Sequence, residues 1–107
     1  MAPFLDVIGV SGASYRFRAV ERGAMLPIEA GNFLVLREGG AEGERPVCCG
    51  TAPSLARATS AWAKSIEENG RCLLYIRLNL TRHVRLAEHA DISAALRPKV
   101  VLEEVVS

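Results

Sequence analysis

Val47-Cys48-Cys49-Gly50-Thr51-Ala52-Pro53-Ser54-Leu55 is a short apolar strand that runs through a glycine into the start of a helix. Upstream, Gly31-Asn32-Phe33-Leu34-Val35-Leu36 is a second strand opening on glycine. Its continuous apolar run predicts a central strand, buried on both faces. Residues 39–44, rich in glycine and glutamate, form the turn of a hairpin, and residues 46–49 are its return strand. Residues 52–68 then form a helix. Thr51 or Ser54 can cap it, and Pro53 fits its first turn. Leu55, Ala58 or Thr59, Trp62 and Ile66 make its apolar stripe. Gly70 can take the positive φ that ends it. Residues 72–78 are a strand apolar on both faces, and a second helix runs from about residue 81 to residue 96. Pro98 stops that helix because it cannot continue the backbone hydrogen bonding. Residues 15–20 alternate apolar and basic, as in a half-buried strand. Residues 1–14, with Gly9, Ser11, Gly12 and Ser14, read as a loop leading in. Residues 100–106 are apolar and β-branched, an edge strand or a tail that pairs with a neighbour.

This order predicts an α+β fold: a small, mainly antiparallel sheet of three to four strands flanked by two or three helices. At 107 residues the chain makes a single domain, residues 1–107. Half of it is hydrophobic, which excludes intrinsic disorder. The formal charge of +1 gives no global field toward nucleic acid, so any such contact rests on a local patch. No apolar run approaches the roughly 20 residues of a membrane span, and the N-terminal residues carry no secretory signal pattern. Three cysteines is an odd number, and the adjacent Cys48 and Cys49 point to opposite faces of a strand. A reduced, cytoplasmic protein is the simplest expectation. The cysteines lack the paired spacing of a metal site.

The glycines and their neighbours resemble the core of the GIY-YIG nucleases over residues 31–98. The first family motif, glycine-aliphatic-tyrosine, falls on Gly31-Asn32-Phe33, and the second, tyrosine-aliphatic-glycine, on Cys48-Cys49-Gly50. The leucine that follows five positions on is Leu55. The family's catalytic arginine position is Ala58, and the position of a further histidine is Trp62. Counting back from Pro98, the metal-binding glutamate position falls on His89, with Glu88 beside it. Gly31, Gly50, Leu55 and Pro98 match; these are structural positions. The residues that would do chemistry do not match.

The resemblance implies a divalent metal on a carboxylate, a cation on the phosphate and hydroxyls that hold water. Phe33 lacks the hydroxyl, Cys48 offers a short thiol and Ala58 lacks the guanidinium. His89 is a poor ligand for Mg²⁺, which prefers oxygen. The expectation is therefore a catalytically degenerate module with no metal site and no cofactor, whose residual role is binding nucleic acid or a protein partner. Two alternatives stand beside it. One is an active Mg²⁺-dependent endonuclease in which Arg57 and Glu88 have taken over; each sits one residue off, about 100° around its helix. The other is a homo-oligomer paired through residues 100–106. The basic residues best placed for a phosphate strip are Arg16 and Arg18 on one strand face, Arg82 and Arg85 on one helix face, and Arg57. The pattern is not the aromatic interleaving of the kind that single-strand binders use.

Overall fold

Tyr15 and Phe17 point one way along a strand and Arg16 and Arg18 the other, the period of two that a pleated backbone imposes. The computed structural model, which describes residues 2–39 and 43–105, makes this segment β2 (Ser14–Val20). It pairs antiparallel with β1 (Phe4–Ile8), Phe4 opposite Arg18 and Ile8 opposite Ser14. The expected lead-in loop is thus a strand and a tight turn. Phe4 and Ile8 are apolar yet lie on the exposed side of β1, which hides its alternation in the sequence. Gly9, Ser11 and Gly12 form the hairpin turn, with Gly12 N–H donating to Gly9 O and Gly12 at φ +90°.

β3 (Gly31–Arg37) and β4 (Arg45–Ala52) form the predicted hairpin, with an irregularity between Val35 and Leu36. The middle of its expected turn, residues 40–42, lies outside the described residues. A single 3₁₀ turn, Leu55–Arg57, leads into α1 (Ala58–Asn69). The helix therefore begins later than its stripe suggests, because Thr51 and Ala52 still belong to the sheet. Ser54 makes no side-chain cap. β5 (Cys72–Leu78) returns antiparallel to β3 along its whole length, from Gly31 opposite Leu78 to Arg37 opposite Cys72. α2 (Arg82–Leu96) then crosses over to β6 (Val100–Leu102), which runs parallel to β4. Gly70 at φ 84° and Arg97 at φ 48° terminate the two helices, and Pro98 follows the second.

Among the described residues the sheet has six strands, in the order β1-β2-β5-β3-β4-β6. It is larger than the three or four strands expected, and mixed, because β1 and β6 extend it at both ends. β3 sits centrally and is buried on both faces, as its unbroken apolar run predicts. Phe33, Val35, Cys48, Leu55, Ala58, Leu74 and Ile76 form one core under α1. Tyr15, Phe17, Leu34, Leu36, Cys49, Tyr75 and Ile92 form the other, under α2. Each helix covers a different face, and Cys48 and Cys49 divide between the two. All three cysteines are free and buried. α1 packs on β3, β4 and β5. On that same side, at β1 and β2, Phe4 stays 54% exposed. No helix among the described residues is long and apolar enough to cross a membrane.

Candidate functional site

The resemblance positions on β3, β4 and α1 come together. Phe33, Cys48 and Ala58 all lie in the core beneath α1, each at most 2% exposed. The glycines make this packing possible. A Cβ at Gly50 would lie 2.2 Å from Cζ of Phe33, so the ring occupies the space of the missing side chain. A Cβ at Gly31 would lie 2.2 Å from the Arg77 carbonyl oxygen and 2.7 Å from Leu55 Cδ1. Burial pushes the Cys48 thiol up to about 11. Burial, and to a lesser degree Cys48, push the Cys49 thiol up to about 12. Neither forms a thiolate at neutral pH, and the thiolate is the nucleophile.

His89 and Glu88 lie elsewhere. Both are on α2, which packs on the opposite face of the sheet from Phe33, Cys48 and Ala58. A pairing of Cys48 with His89 would have to cross the sheet. Arg57 is the exposed last residue of the 3₁₀ turn before α1, whose Leu55 packs in the core under α1, whereas Glu88 is on α2 across the sheet. Among the described residues no group of three or more His, Cys, Asp and Glu side chains is placed to hold a metal ion.

Glu88 instead belongs to a polar network that the sequence did not announce. Asn32, buried on β3, donates from Nδ2 to the Arg85 carbonyl at 3.1 Å. Asn79 Nδ2 donates to Asn32 Oδ1 at 2.9 Å and to Glu88 Oε1 at 2.8 Å. Arg77 Nε reaches the same Glu88 oxygen at 3.3 Å. The Arg85 guanidinium is buried, donates to the carbonyls of Asn79 and Leu80, and meets Glu104 Oε1 at 2.8 Å. Arg82 joins Glu104 at 3.6 Å, and the Thr51 hydroxyl donates to the Glu104 carboxylate. Burial pushes the Glu104 carboxyl upward, but hydrogen bonds from Arg85 and Thr51 outweigh it and hold it below its ordinary 4.5. Burial lowers the His89 imidazole from its ordinary 6.5, against the smaller opposing influence of Glu103 and Glu104. His89 Nε2 and Arg85 Nε are buried without a hydrogen-bond partner among the described residues. The only sequence signal for the network was an asparagine inside an apolar strand, Asn32, and another just past the end of one, Asn79.

The expected basic strip divides. Arg85 is 3% exposed and cannot present itself to a polyanion, which corrects its assignment. Arg82 is held by Glu104 and remains at the surface. Arg16 and Arg18 do share one exposed strand face, on the half of the sheet that α1 leaves open. There Arg16 pairs with Asp6 at 2.9 Å and its guanidinium lies 5.4 Å from the centre of the Phe4 ring. Phe4, Arg16, Arg18 and Leu78 line a groove of about 270 Å³. Tyr15 and Phe17 of the same strand turn into the core on the other face, so the ring beside Arg16 comes from Phe4 on the neighbouring strand, through pairing that the linear sequence does not display. No family model, curated protein or solved structure matches the chain.

Proposed function

We propose that this chain is a non-catalytic binding module, similar to a GIY-YIG nuclease core whose reacting groups have been replaced. The observation that carries the reading is the sealed packing of Phe33, Cys48 and Ala58 in one core, where the resemblance implies hydroxyls and a guanidinium. The remaining role is binding, and the partner class is a nucleic acid met by the open face. Arg16 and Arg18 supply cations for phosphate, and Phe4 supplies a ring beside them. A nuclease with migrated residues has weaker support, because Arg57 and Glu88 belong to elements on opposite faces of the sheet.

The test has two arms. Incubated with Mg²⁺ or Mn²⁺, the chain is expected to leave linear and branched DNA intact. Cleavage that disappears in Arg57→Ala or Glu88→Gln would overturn the reading. In the second arm, anisotropy of labelled single-stranded oligonucleotides is expected to report binding that weakens as salt rises. Arg16→Glu with Arg18→Glu should abolish it.

One observation favours a second reading, a homo-oligomer. β6 is an edge strand, and its Val100 and Val101 are 39% and 51% exposed. Such an edge can pair with another chain. A single-chain mass by light scattering removes this reading.

A further inference from the structure

The layers do not close completely between α1 and the C-terminal strand. A cavity of about 160 Å³ remains between α1, β4 and β6. Its cause is local. Cys48 on β4 and Ala61 on α1 both line it, and both are short. Val100 and Leu102 of β6 supply further apolar wall. The polar groups inside are already partnered. Ser65 Oγ donates to the Ala61 carbonyl at 2.8 Å, and Asn69 Nδ2 donates to the Ser65 carbonyl at 3.0 Å. The buried Cys48 thiol stays neutral. The interior is therefore mostly apolar and uncharged.

The rim is not. Lys64 and Lys99 stand on it with Glu68 as the opposing charge. Lys99 Nζ is steadied by Asn69 Oδ1 at 3.0 Å. Two cations against one anion favour a ligand carrying negative charge. Size narrows the class further, since an apolar cavity of about 150 Å³ is known to hold one benzene ring.

We propose that this cavity is a binding site for a small monoanion with a compact apolar body, of the class of a benzoate-sized carboxylate. The ring or branched chain lies against Cys48, Ala61 and Leu102, and the carboxylate meets Lys64 and Lys99. The site requires neither Arg16 nor Arg18, so it stands independently of nucleic-acid binding.

Titration of the full chain with benzoate, benzyl alcohol, benzylamine and inorganic phosphate tests this, read by saturation-transfer NMR and calorimetry at low ionic strength. Benzoate is expected to bind saturably, with benzyl alcohol weaker and benzylamine and phosphate silent. Lys64→Gln combined with Lys99→Gln should weaken benzoate about tenfold, as two partly exposed ion pairs would, with the thermal midpoint unchanged. Glu68→Gln should tighten it, and Ala61→Leu should fill the cavity and abolish binding. The proposal fails if benzoate shows no saturable binding. It fails equally if the lysine double variant binds as well as the parent, or if phosphate binds as well as benzoate.

Discussion

Gly50 carries no side chain because the Phe33 ring already fills the place where one would sit. Gly50→Ala should cost about 1–3 kcal/mol by urea unfolding, the range for overpacking a core. Gly31→Ala should cost more, since its obstacle is the Arg77 carbonyl, a backbone atom that cannot rotate away. Phe33→Tyr restores a hydroxyl but buries it in an apolar core. It is expected to lose about 1–3 kcal/mol, the penalty for an unpaired buried polar group, and to gain no cleavage activity. His89 makes the residue scale depend on pH. Its imidazole is held below 6.5 by burial, so below that pH the unfolded chain binds a proton that the folded chain refuses. Stability should therefore fall as pH drops from about 6.5 toward the depressed folded value. Thermal unfolding across this window should show the decline, and His89→Leu should flatten it. At this scale the sequence was legible where a residue's type dictates its place, as for Gly31, Gly50 and Pro98. It was illegible where a partner decides. Asn32 reads as a misfit until Asn79 and Arg85 surround it.

Elements that declare themselves by an unbroken or alternating pattern were legible: β2, β3, β5 and both helices follow from their own residues. β1 was not, because its exposed side is apolar and its turn resembles a loose terminus. The parallel docking of β6 was not, because three residues carry little pattern and the fastening lies beyond them. That fastening is Glu104, which Arg85, Arg82 and Thr51 hold against the sheet. Glu104→Ala leaves the buried Arg85 charge without its carboxylate and should cost about 3 kcal/mol. Hydrogen exchange should report the loss first at β6 and at Val105 N–H, which donates to the Thr51 carbonyl. The carboxyl is depressed below 4.5, so its contribution is complete above that pH and disappears as the pH falls through the folded value. Acid thus loosens the C-terminal strand by a route separate from His89. The cavity under α1 shares a wall with this strand, so Glu104→Ala should also weaken benzoate binding.

At the scale of the whole molecule, the α+β class and the single domain were legible, whereas the width of the sheet was not. The two cores are separated by β3, β4 and β5, and the helices seal opposite sides. The first hairpin hangs on this arrangement from one side. β2 joins the sheet through Arg18, Ala19 and Val20 opposite Ile76, Tyr75 and Leu74, and its turn is clasped by Asp91, which accepts from Tyr15 Oη at 2.7 Å and Ser11 Oγ at 2.6 Å. Contacts this distant along the chain form late, because loop closure must come first. Val7→Ala is accordingly expected to accelerate unfolding and leave the refolding rate nearly unchanged in stopped-flow measurements. The strand order β2-β5-β3 has a further consequence during synthesis. Within this sequence β1 and β2 come before β5, the strand they dock on, which is made more than half a chain later. Until β5 is in place, the ribbon holds Val7, Tyr15 and Phe17, side chains the finished fold buries, without the sheet that covers them.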